Sequence, residues 1–143
     1  MSEQRDYAIV VGVDGSPSSR VALRWAVRQA HLTNGLVTAV MSWELPELYD
    51  WPMRTSEECD RATEEALKTV IRETVDDADA AAIRKEVARG HPANALLKAA
   101  GSADLLVVGR RGYGGFAHAL LGSVGQYCVN HAPCPVVVVR DHA

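Results

Sequence analysis

No apolar run in the 143-residue sequence approaches the roughly 18 residues that a membrane-spanning helix needs. The opening, MSEQRDY, is polar and lacks the apolar core of a signal peptide, so the expected location is the cytoplasm, with no membrane partner. A large excess of either charge is missing too. The formal net charge is −3 and no long block of like charge occurs, which argues against nucleic acid as a partner while leaving room for a local basic site. Cysteine is sparse: Cys59, Cys128 and Cys134 are odd in number, show no paired C-x-x-C spacing, and read as small buried hydrophobes rather than metal ligands. The five histidines, His31, His91, His118, His131 and His142, fall in no H-E-x-x-H or comparable cluster, and the metal and catalytic-histidine readings lose their support. No G-x-x-x-x-G-K-[ST] run occurs, which excludes a P-loop. What is present is a 48% hydrophobic composition, enough at this length for one domain with a real core, expected to span residues 1–143.

Residues 7–13, YAIVVGV, are short, apolar and β-branched, and they run into the turn signal Asp14-Gly15-Ser16-Pro17. Ser16 before Pro17 predicts a capped helix with Val21, Ala22, Trp25, Ala26 and Ala30 on its inner face, stopped by Asn34-Gly35. Residues 36–43, LVTAVMSW, predict a second strand. After a polar loop from Glu44 to Arg54, Thr55 and Glu58 form a capping box. The helix behind it carries Cys59, Ala62, Ala66, Leu67, Val70, Ile71 and Val75 on its expected inner face. Residues 82–88 predict a third strand, whose Arg84, Lys85 and Glu86 suit a sheet edge. Pro92 opens a short helix with the stripe Ala93, Leu96, Leu97 and Ala100, ended by Gly101. Residues 104–109 give strand four. Val124, Tyr127, Cys128 and His131 mark a last helix closed by Pro133, and residues 135–140, PVVVVR, give strand five.

Strands alternating with helices, and apolar along almost their whole length, call for an open five-stranded parallel α/β sheet covered on both faces, flavodoxin- or Rossmann-like. With strand three at an edge the order is 3-2-1-4-5, and strand order reverses between strands one and four. Ligands bind such sheets beyond the carboxyl ends of the strands at that reversal. The loop at Asp14 and the glycine-rich stretch GRRGYGGFAHALLGSV, residues 109–124, then face one crevice.

Glycines let backbone N–H groups approach an anion, and a helix start adds unpaired donors and the positive end of a dipole. Gly122, Ser123 and Val124 sit at the start of the last helix, Arg110 or Arg111 can supply positive charge, and Asp14 can accept from ribose hydroxyls. The set describes a nucleotide. Each part also has a plainer reading: a glycine run after a strand is a turn, and an Asp before Gly-Ser is a turn or capping residue. Gly112-x-Gly114-x-x-Ala117 matches a dinucleotide fingerprint only weakly, because it follows strand four. Trp43 and Trp51 flank the second loop, where they can shield a base or serve packing alone. Four successive valines on a terminal strand would be an exposed edge, relieved by pairing with a second copy or by a covering loop.

Gly109-x-x-Gly112, followed after nine residues by Gly122-Ser123, resembles the ATP-binding signature of the universal stress protein family. VVGVDGS, GHPANALLKAA, ADLLVVGRRGYGGF, LLGSV and HAPCPVVVVR are similar to the same family and cover most of the chain. The resemblance implies ATP, alone or with Mg²⁺, held between the loops after strands one, two and four. It places Gly12 and Asp14 by the adenosine and the backbone of Ser42 near adenine. It places Gly109, Arg110, Arg111, Gly112, Gly114 and Gly115, with Gly122, Ser123 and Val124, around the phosphates. Met41-Ser42 departs from the histidine and small residue usual in the family, a difference that bears on base preference. The resemblance further implies a homodimer through Val136, Val137, Val138 and Val139 and a regulatory role in stress or dormancy. Slow ATP hydrolysis and cyclic AMP binding are the alternatives.

Overall fold

The computed structural model describes residues 6–44, 55–111 and 122–140. Its elements follow in the order β1 (Ala8–Gly12), α1 (Pro17–Thr33), β2 (Leu36–Trp43), α2 (Ser56–Thr74), α3 (Asp77–Ala82), β3 (Arg84–Arg89), α4 (Pro92–Ala100), β4 (Leu105–Gly109), α5 (Ser123–His131) and β5 (Val136–Val139). The strands pair in parallel in the order β3-β2-β1-β4-β5, as the edge placement of strand three predicted. Period-two alternation divides the core. Ile9, Val11, Val37, Ala39, Leu105 and Val107 point to α1 and α2, whereas Val10, Val40, Leu106 and Val108 point to α4 and α5. Ile9, Leu23, Leu67, Ile71 and Leu106 are fully buried, and each such side chain contributes about 1.5–3 kcal/mol. Exposed ion pairs such as Arg20–Glu73 contribute roughly 0–1 kcal/mol, so the two cores set the stability.

The local signals act where they were read. Ser16 caps α1 by accepting from the Ser19 N–H, Thr55 and Glu58 form the reciprocal box of α2, and Asn34 ends α1 in the left-handed region at φ 57°. Helix α5 forms where the spacing of Val124, Tyr127, Cys128 and His131 predicts it, with Cys128 fully buried and Tyr127, 43% exposed, stacked on His131 at the surface. Three expectations need correction. Helix α3 was not anticipated: Asp76 accepts from the Asp79 N–H and starts a turn and a half, and β3 therefore begins at Arg84 rather than at residue 82. On α2, Ala62 and Ala66 are exposed and only Leu67, Val70 and Ile71 are buried, because just the C-terminal half of the helix lies on the sheet. Of the cysteines, Cys59 and Cys134 are half-buried and only Cys128 is a core residue. Burial pushes the Cys128 thiol up to about 11 and raises that of Cys134 too, with the Asp104 charge adding to the latter.

Candidate functional site

The crossovers through α1 and α2 lie on one face of the sheet, and those through α4 and α5 on the other, so the chain parts between β1 and β4. A crevice of about 210 Å³ opens there, at the carboxyl ends of the strands. Gly12, Asp14, Ser42, Gly109, Arg110, Arg111, Gly122, Ser123 and Val124 all line it. Gly112, Gly114, Gly115 and Trp51 lie outside the described residues.

The floor of the crevice is set by close packing. A Cβ on Gly12 would come within 2.9 Å of the Leu96 side chain, and one on Gly109 within 2.6 Å of the Ser18 carbonyl group. These two glycines let α4 and the first turn of α1 settle onto the strand ends. The loop after β1 is equally determined. The Asp14 carboxylate accepts from the Ser16 N–H at 2.9 Å, and the Asp14 N–H donates to Ser19 Oγ at 3.2 Å. Gly15 takes φ 83°, a left-handed value that favours glycine. Arg20 donates from Nε to the Gly15 carbonyl at 3.0 Å. Asp14 is thus a turn residue, as the plainer reading had it, and it also lines the crevice.

Three helix starts meet here, and they differ chemically. Helix α1 begins with Pro17, which has no N–H, and Ser16 takes the Ser19 donor. Helix α4 begins with Pro92, and Nδ1 of His91 accepts from the Ala93 N–H at 3.1 Å. Helix α5 begins after Gly122 and has no side-chain cap among the described residues. The Gly122 N–H is taken by the Arg110 carbonyl at 2.7 Å, and the first intrahelical bond runs from Gln126 to Gly122. The N–H groups of Ser123, Val124 and Gly125 are therefore the ones without an intrahelical acceptor at this helix start, and all three residues line the crevice beside Arg110 and Arg111.

The opposite end is apolar with one polar strand edge. Val13, Val40, Pro92, Ala95 and Leu96 line it. The rungs between β1 and β2 stop at the bond from the Val13 N–H to the Val40 carbonyl, 2.9 Å, because the chain turns away at Asp14. The Trp43 carbonyl is turned to β3, where it accepts from the Gly90 N–H at 2.8 Å, so Ser42 faces the β1 side. No further rung follows among the described residues, and the N–H and C=O of Ser42 stand beyond the end of β1, on the crevice. Sequence reasoning missed the α4 wall of Pro92, Ala95 and Leu96 and the lining Ser19. The S-x-x-S spacing of Ser16 and Ser19 at a helix start was a signal for the latter.

The model of the Universal stress protein family matches residues 8–140. A universal stress protein of Mycolicibacterium smegmatis is 36% identical over 144 aligned positions, covering 94% of this chain and 48% of that protein. One from Mycobacterium tuberculosis is 32% identical over 141 positions, covering 99% and 48%. The chain spans about half the length of these relatives. Among solved structures, the universal stress protein UspA from Lactobacillus plantarum superposes with a TM-score of 0.76 at 26% identity, covering 96% of this chain and 100% of that one. A universal stress protein in complex with cAMP superposes with a TM-score of 0.67 at 26% identity, covering 97% and 100%.

Proposed function

The chain belongs to the universal stress protein family, and we propose that its crevice binds an adenine nucleotide, ATP above all, as the input of a regulator in stress or dormancy response. The observation that carries this reading is the division of the crevice. The start of α5, whose amides no side chain among the described residues caps, with two arginines near, suits phosphate, while the wall of α4 and the edge of β2 suit a flat base. A backbone N–H and C=O on one strand edge match the N1 acceptor and 6-amino donor of adenine. Asp14 then lies at the sugar. Mg²⁺ enters as the counter-ion of the phosphates. Cyclic AMP is the second reading, favoured by the similar protein in complex with cAMP. It shares the base and sugar contacts and differs at the start of α5.

Asp14→Ala tests the sugar placement. Loss of the Asx turn and of one acceptor is expected to weaken ATP and adenosine alike, about tenfold, measured by calorimetric titration. A loss confined to the triphosphate would remove Asp14 from the sugar and put it at the phosphates.

The two edges of the sheet are unlike, which favours a homodimer through β5. Edge strand β3 exposes Arg84, Lys85 and Glu86, charges that oppose strand pairing, whereas β5 offers partly exposed Val136, Val137 and Val138. Pro135 and Val139 accept from Leu106 and Arg110 of the β4 side, so Val136 and Val138 turn their N–H and C=O outward. Val138→Pro removes an outward donor and spares the bonds to β4. Sedimentation is expected to show a dimer for the parent protein and a monomer for the variant, at unchanged circular dichroism. A variant that stays dimeric would move the contact elsewhere.

A further inference from the structure

Trp43 ends β2 one residue beyond Ser42, and strand alternation turns its indole away from the crevice toward α2. There Nε1–H donates to Asp60 Oδ1 of α2 at 2.7 Å, and the guanidinium carbon of Arg89 in β3 lies 5.6 Å from the ring centroid. The Trp43 carbonyl accepts from the Gly90 N–H at 2.8 Å, in the turn that leads to α4. One residue thus joins α2, β3 and the approach to the α4 wall. The peptide group between Ser42 and Trp43 is planar, so the Ser42 carbonyl turns together with the backbone N–H and Cα of Trp43, and a side chain anchored at its far end resists that turn.

We propose that Trp43 is the positioning residue for base selection: held by Asp60, Arg89 and Gly90, it keeps the Ser42 carbonyl aimed at the exocyclic amino group of adenine. This rests on the nucleotide reading of the crevice. Adenine presents the N1 acceptor beside the 6-amino donor, and guanine presents the reverse, an N1–H donor beside the O6 acceptor. A strand edge with its N–H and C=O in fixed order accepts the first and sets like against like for the second. That discrimination lasts only while the carbonyl is held, because a peptide free to tilt relaxes the mismatch. Loss of the clamp therefore reduces selectivity more than affinity. Arg89 over the ring and Asp60 at the indole N–H place the two opposite charges at the same side chain, where each reinforces one orientation of it.

The test is titration of the full chain with ATP, GTP and inorganic tripolyphosphate. The parent protein is expected to prefer ATP over GTP by at least about tenfold, the discrimination of one paired base edge. Trp43→Phe keeps a ring beneath Arg89 and removes the indole N–H, and Asp60→Ala removes the acceptor while leaving Trp43 in place. Each is expected to lower the ATP-to-GTP preference about fivefold, the loss of one charge-assisted hydrogen bond at a partly exposed site, with tripolyphosphate binding unchanged. The double variant should fall no further than either single one, because both changes break the same contact. Discrimination undiminished in both variants overturns the role of Trp43 and leaves the base reading intact. Equal loss of all three ligands in both variants marks a merely structural residue and also overturns it. A parent protein that binds ATP and GTP equally overturns the base reading, and this inference with it.

Discussion

Gly122→Glu is expected to abolish nucleotide binding while leaving the fold unchanged. Gly122 sits at φ −67°, ψ 160°, a conformation open to any residue, and its N–H bond to the Arg110 carbonyl survives the substitution. The new carboxylate lies at the start of α5 and satisfies the donors and the dipole that a phosphate would otherwise meet. Two like charges about 4 Å apart at a surface-like dielectric repel by about 4 kcal/mol, so a loss of two to three powers of ten in ATP affinity is the expected scale. Equilibrium dialysis with labelled ATP checks the binding, and a thermal melt checks the fold. The melting temperature should hold within a few degrees, since a carboxylate at the positive end of the α5 dipole is favourable and Gly122 has no side-chain cap to lose. Unchanged affinity would remove the phosphates from α5.

Gly109→Ala has the largest expected effect on stability. Its Cβ would stand 2.6 Å from the carbonyl carbon and oxygen of Ser18, both backbone atoms of the first turn of α1. Backbone cannot swing aside as a flexible side chain does, so β4 and α1 must separate. Overpacking of this kind costs about 1–3 kcal/mol. Separation also disturbs the crevice, because Ser16 and Ser19 belong to the same turn and hold the Asp14 loop. Loss of stability is thus expected together with weaker ATP binding, read from urea unfolding and titration of the same sample. Gly12→Ala is the milder comparison. Its Cβ would meet the end of the Leu96 side chain, which can rotate.

Much of the fold was legible because its signals are local and agree with one another. β-branched apolar runs ending in glycine or a turn gave β1, β2 and β4, and Ser16-Pro17, Thr55-x-x-Glu58 and Pro92 gave three helix starts. The charges of β3 gave its edge position, and that position led to the strand order and the place of the crevice. What escaped was decided by tertiary packing. The alanines at 62 and 66 have helical spacing, but spacing does not tell how far α2 extends over the sheet. The short helix α3 carries no apolar stripe to announce it, and its only local signal is Asp76, which accepts from the Asp79 N–H.

Within the site, residue types revealed one half better than the other. Glycines, arginines and a helix start announce an anion, so Gly109, Arg110, Arg111, Gly122, Ser123 and Val124 could be named in advance as residues of one crevice. The end proposed for the base is built from backbone groups of Ser42, which only the family resemblance pointed to, and from ordinary apolar residues of α4, which carry no distinctive side-chain chemistry. Trp43 shows the limit most clearly. Its position beside the site left open a shield for the base or packing alone, and alternation along β2 turns the indole to Asp60 on the other face, which bears out packing.

A crystal structure of the chain grown with ATP tests the central claim most directly. Phosphate oxygens are expected within hydrogen-bond distance of the Ser123 and Val124 N–H groups, with the adenine edge on the N–H and C=O of Ser42. A nucleotide lying the other way round, with its base at α5, or bound outside the crevice between β1 and β4, would contradict it.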